Sequence, residues 1–367
     1  MLPKETIRIR IIRLCLILPA VSALGWGVFH REDISAQVPP TQSAVHPLGA
    51  VDVWFSRPQE FDGEYRGGPD EPLARAIDGA RCCVDIASYD FDLLSVARAL
   101  IAASARGVTV RIVVDSDNWH NEALDLMRGE SIPIVGDGRE ALMHDKFVVI
   151  DREDVWAGSM NLTVNDAYRN DNNFLHVRSP NLGAIFTAEF EEMFLRKFFG
   201  TDSPHGAPAA SVDTDAGPVQ AFFAPEDQVA RHVIELIHGA RKSIHFLAFS
   251  FTSTPIAEAL LERAAHGVSV SGIMETSQAK SSSSAQYDAL RNGGAAVYWD
   301  ANPRNMHHKV ILIDGEIVIT GSYNFSESAE NKNDEDILIL WNPELAGLFE
   351  TEFQRISDMA VLKTPRL

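Results

Sequence analysis

Two stretches of this chain carry the same six residues at the same spacing. One is MHDKFVVIDREDVWAGSMN, with His144, Lys146, Asp151, Gly158, Ser159 and Asn161. The other is MHHKVILIDGEIVITGSYN, with His307, Lys309, Asp314, Gly321, Ser322 and Asn324. An imidazole can act as nucleophile or acid near neutral pH, an ammonium group is a point charge, and a carboxamide is a neutral donor. Converging on one spot, the three suit a bound phosphate. A lone histidine beside an apolar strand is more often a satisfied, half-buried side chain. A six-residue constellation that occurs twice is not explained that way.

The elements that must present these groups are legible around them. After each lysine comes an apolar run, Phe147–Ile150 and Val310–Ile313, that ends in a turn at Asp151 or Asp314, and a second apolar run then delivers Gly-Ser and Asn. Residues two apart on a strand share a face, so the His and Lys of each copy project together, with Asn joining from the neighbouring strand. Asp151 and Asp314, at strand ends, read as turn or salt-bridge residues, and Ser159 and Ser322 as hydrogen-bonding or turn residues.

The duplication extends beyond the motif. VDVWFSR matches VQAFFAP, and SVARALIAASARGVTVRIVVD matches PIAEALLERAAHGVSVSGIME. Gly107 pairs with Gly267 and Asp115 with Glu275 at an offset of 160; His144 pairs with His307 and Phe190 with Phe353 at 163. A repeat this long is a duplicated domain, and its alternation of strands with helices predicts an α/β fold, each sheet covered by helices. The expected organisation is a leader over 1–30, a tether over 31–49, a first domain over 50–200, a Pro/Gly/Ala/Asp-rich linker over 201–218 and a second domain over 219–360.

Charge is lopsided. The 367 residues hold 32 basic and 51 acidic side chains, a net −19. Lys4, Arg8, Arg10 and Arg13 against Glu5 make the first thirty residues +3, leaving −22 on the body. Such a body repels polyanions at long range, which weighs against nonspecific nucleic-acid binding but leaves room for a local basic cleft. The basic start followed by an apolar run from Leu14 to Phe29 reads as a cleaved signal peptide or a membrane anchor, and either places the body outside the cytoplasm. Cys15, Cys82 and Cys83 have no Cys-x-x-Cys spacing, and His307 and His308 would face opposite sides of a strand. Neither a disulfide framework nor a metal site is expected. Phe246, Phe249 and Phe251 read as core and strand residues, whereas Trp119, in the polar loop DSDNWHNE, is a candidate for the substrate entrance.

His-x-Lys-x4-Asp-x6-Gly-Ser-x-Asn, present twice, resembles the signature of the phospholipase D superfamily, and the likeness runs from Val51 to about Ile356. The second half is especially similar to the small bacterial nuclease and cardiolipin-hydrolase branch, whose members carry one motif and dimerise. The resemblance implies two tandem α-β-α sandwich domains related by a pseudo-twofold axis, so that one chain acts as a monomer. It also implies a covalent phosphohistidine mechanism: one histidine attacks phosphorus, and the other protonates the leaving alkoxide and then activates water. Lys146, Lys309, Asn161 and Asn324 would hold the non-bridging oxygens. With two ammonium groups supplying the positive charge, no metal or cofactor is expected.

Family members place a glutamate, fourteen residues past the motif glycine, that orients the histidine of the opposite half. Here that place is Glu335 in the second half, which by resemblance would hold His144 and make it the nucleophile, with His307 as general acid. The first half departs from the pattern with Asn172, leaving Asp171 as the carboxylate that would have to orient His307. The expected activity is hydrolysis of phospholipid head-group phosphodiesters at a membrane surface. The alternatives are a metal-independent nuclease using the same site and a non-catalytic, membrane-tethered scaffold.

Overall fold

In this computed structural model, which describes residues 49–59, 64–204, 211–282 and 285–363, the apolar alternation becomes two mixed β-sheets. The first holds β1 (Val51–Phe55), β2 (Cys83–Ser88), β3 (Thr109–Val114), β4 (Ile134–Gly136), β5 (Lys146–Ile150), β6 (Asp154–Gly158) and β7 (Asn173–Arg178), in the order β1-β7-β6-β5-β2-β3-β4. The second holds β8 (Val212–Thr214), β9 (Gly217–Ala224), β10 (Ser243–Ala248), β11 (Ser269–Met274), β12 (Ala296–Trp299), β13 (Lys309–Ile313), β14 (Ile317–Gly321) and β15 (Glu335–Trp341), in the order β12-β11-β10-β13-β14-β15-β9-β8. Each sheet thus puts its motif strand, β5 or β13, in the interior. The parallel pairs β2–β3 and β10–β11 need a crossover, which the helices Leu94–Ala105 and Thr254–Ala265 provide.

Alternation on the motif strands decides the layering. Phe147 and Val149 join Val310 and Leu312 in one shared core, together with the helices Pro180–Glu191 and Pro343–Lys363. Val148 and Ile150 face a second cluster under the helices Asp70–Asp78 and Leu94–Ala105, and Ile311 and Ile313 face its counterpart in the other half. Each large apolar side chain so buried contributes about 1.5–3 kcal/mol. Every motif strand is therefore clamped on both faces.

The two halves are stitched by matching backbone bridges. Met143 pairs with Asp334, and Asp171 with Met306. The His144 N–H donates to the Asp334 carbonyl at 2.9 Å, and the His307 N–H to the Asp171 carbonyl at 2.8 Å. Part of the stretch expected as a linker is ordered differently: Val212–Thr214 is an edge strand pairing with β9, and Gly217 and Pro218 open β9 itself. The leader, with Cys15, and all of the tether but Gly49 lie outside the described residues. Among the described helices none is long and apolar enough to cross a membrane.

Candidate active site

The bridges between halves fix the site's geometry. Because Asp334 pairs with Met143, the next residue, Glu335, meets the next histidine: its Oε2 lies 2.7 Å from His144 Nδ1. By the same register, the Asp171–Met306 bridge brings Asn172 Oδ1 to 2.9 Å from His307 Nδ1. Each imidazole is thus held at Nδ1 by a residue of the other half, which leaves Nε2 as the reactive nitrogen. The motif serines hold the holders. Ser322 Oγ donates to Glu335 Oε2 at 2.7 Å, and Ser159 Oγ donates to Asn172 Oδ1 at 2.9 Å. Gly158 and Gly321 sit where a Cβ would collide with the carbonyls of Asn173 and Asp336, so the chain can pass close enough for those serines to reach.

Lys146 and Lys309 are buried, and each donates to the carbonyl of its own histidine, at 2.6 and 2.8 Å. Asn161 and Asn324 have their Oδ1 atoms buried without a hydrogen-bond partner, so neither acceptor is committed to the fold. Burial, with Lys146 and Lys309 adding and Glu335 opposing, pushes His144 down to about 4. His307 is driven well below its usual value by burial and by the charges of Lys309, Lys146 and His144. Burial also lowers both lysines, Lys309 further because Lys146 faces it. Burial works against ionising Glu335, yet His144 and Lys146 hold it below the usual carboxylate range. Burial and the crowding of like groups disfavour protonation of both imidazoles and both lysines, and an anion would relieve that.

Not every candidate joins this cluster. Asp151 and Asp314 lie at the far ends of their strands, about 16 Å from the lysines by strand rise. Asp151 accepts the N–H groups of Arg81, Cys82 and Cys83, and Asp314 those of Arg241, Lys242 and Ser243, both at positive φ. Against partial burial, those N–H groups and the Arg81 guanidinium hold Asp151 down to about 2. Asp171 does not orient His307: its carboxylate is taken by Arg355 at 2.5 Å and Asn302 at 2.7 Å. Trp119 stacks under Arg128, whose guanidinium carbon lies 4.2 Å from the ring centre.

Phe249 departs from its expected core place. It is half-buried, edge-on to His307 at 4.5 Å, and Tyr89 occupies the equivalent place 5.0 Å from His144. The sequence reading also missed Asp166, whose Oδ2 lies 3.4 Å from His307 Nδ1. Its only mark in the sequence is that the repeat puts Ala329 at the matching position, which says nothing of a contact with His307.

Comparison with known proteins points to one family. The family model described as cardiolipin synthase, PLD-like domain matches residues 73–194 and again 233–357. A mitochondrial cardiolipin hydrolase of Chlamydomonas reinhardtii is 25% identical over 45% of this chain and 84% of its own. A phospholipase D of Rickettsia bellii is 33% identical over 36% of this chain and 65% of its own. Among solved structures, phosphatidylserine synthase of Haemophilus influenzae shares the fold over 79% of this chain and 84% of its own, with a TM-score of 0.62 at 12% identity.

Proposed function

The chain belongs to the phospholipase D superfamily, and from that premise we propose that it hydrolyses phospholipid phosphodiesters through a phosphohistidine on His144. The observation that carries this reading is the contact between His144 Nδ1 and the Glu335 carboxylate, made across the two halves. In the first step His144 Nε2 attacks phosphorus, the bond to the head-group oxygen breaks, and His307 gives that oxygen its proton. In the second, water attacks phosphorus, His307 takes the water's proton, and the N–P bond breaks to release a phosphate monoester. Glu335 balances the positive charge that His144 acquires while phosphorylated. Lys146, Lys309, Asn161 and Asn324 hold the non-bridging oxygens, and the phosphate anion offsets the charges that keep His307 unprotonated.

The choice of lipid is supported by the −22 body, which disfavours long polyanions, and by the names of the cardiolipin hydrolase and phospholipase D relatives. The test is an assay of the full chain in chelator against cardiolipin and phosphatidylcholine vesicles, beside single- and double-stranded nucleic acids, with His144→Ala/His307→Ala as blank. Release of a phosphatidate-type product is expected, at a rate the chelator leaves unchanged. Cleavage of nucleic acid alone would make the protein a nuclease, and activity toward neither would leave a scaffold.

A further inference from the structure

We propose that Asp166 is the positioning carboxylate of His307: the acid carried at Glu335 in the second half has moved, in the first, onto the short helix after Asn161. The inference rests on the phosphohistidine reading and adds to it. The offset of 163 that pairs Asn172 with Glu335 also pairs Asp166 with Ala329. One half therefore has an amide on the strand side and a carboxylate on the helix; the other has a carboxylate on the strand and a methyl group on the helix. Both arrangements supply one negative charge to the histidine of the opposite half.

Geometry supports the exchange. Asp166 is 2% exposed, its Oδ2 lies 3.4 Å from His307 Nδ1, and it belongs to the helix Val164–Tyr168. Asn172 accepts the Nδ1 hydrogen bond at 2.9 Å and so fixes the tautomer, but an amide cannot balance an imidazolium. Asp166 can. Its carboxylate is locked in place, Oδ2 accepting the Asn161 N–H at 2.7 Å and Oδ1 accepting from Asn170 Nδ2 at 2.5 Å. Lys309 and Lys146 face His307 with positive charge, and His144 and His308 oppose its protonation whenever they carry a proton. Asp166 opposes the depression of both lysines. A purely structural Asp166 would serve only those two hydrogen bonds, and no carboxylate placed elsewhere could replace it.

The experiment exploits that difference. In the full chain, Asp166→Ala is expected to lose about 10- to 100-fold in kcat, as when an outer partner of a functional imidazole is removed. The double variant Asp166→Ala/Asn172→Glu, which copies the Ala329 and Glu335 arrangement, is expected to recover most of it. A parallel NMR titration of His307 without substrate should show Asp166→Asn weakening its proton affinity about tenfold or more. A double variant no better than Asp166→Ala, or an unchanged His307 titration, would overturn the proposal. If the wild-type chain cleaves no phosphodiester, the reaction reading falls and the titration alone decides the role of Asp166.

Discussion

At the scale of single residues, the two histidines are made unequal by what touches their Nδ1 atoms, a carboxylate at His144 and an amide with a flanking carboxylate at His307. That inequality predicts distinct defects. With an activated phosphodiester, His307→Ala should still trap a phosphoenzyme and His144→Ala should not; trapping by the His144 variant alone would exchange the roles. Glu335→Gln keeps the shape but removes the charge, and should cost about 10^2- to 10^4-fold in kcat. Ser322→Ala, which removes one hydrogen bond to that carboxylate, should cost about tenfold. In its proposed role His144 attacks only when neutral. With its pKa lowered to about 4, kcat/KM should fall on the acid side through about pH 4, and a limb near 6.5 would contradict the buried environment.

At the scale of elements, the motif strands are bolted at one end and chemically equipped at the other. Asp314 joins three successive N–H groups at the start of β10 to the end of β13. Asp314→Asn should therefore lower unfolding free energy by about 1–3 kcal/mol in denaturant titrations, with kcat/KM per folded molecule unchanged. A catalytic defect without a stability loss would contradict that placement. The strands, their clamped faces and the pairing of His with Lys were legible because period-two alternation and the repeated spacing are local signals. Asp166 was not legible, because its partner is 141 positions away and no spacing rule links a short helix to the opposite histidine. Phe249 was misjudged for a related reason: an aromatic residue at a strand end has the same composition whether it closes a core or borders a cleft. The edge strand Val212–Thr214 hid in a stretch whose Pro and Gly content signals a linker, and only pairing with β9 reveals it.

At the scale of the whole molecule, the pseudo-twofold is broken by charge. The His308 side is balanced, with Asn173, Glu352, Arg355 and Asp171 in contact with one another. The equivalent place in the other half holds Asp145, its two carboxylate oxygens buried without hydrogen-bond partners. Burial and mutual repulsion raise Asp145 and Glu189 well above the usual range, Asp336 to about 6, Asp334 to about 7 and Glu226 to about 8. Acids raised on folding stabilise fully below their unfolded values near 4, and that contribution is lost as pH climbs through the folded ones. His144, depressed on folding, acts oppositely, its contribution lost as pH falls from about 6.5 to about 4. Above pH 6.5 the depressed Lys146 and Lys309 oppose the acids, so the test is a difference: Asp145→Asn, which removes one raised acid, should gain in Tm relative to the unsubstituted chain as pH rises from 6.5 to 8.5. A difference in Tm between the two that does not grow over that window would refute the account. The stitch between Met143 and Asp334 has a temporal consequence as well. Synthesis proceeds from the N-terminus, so His144 emerges nearly two hundred residues before Glu335, the group that would arm it. On the proposed roles, a nascent or prematurely ended chain would carry the attacking histidine without its activator, and the chemistry would wait until translation has passed the last motif and β15 has docked.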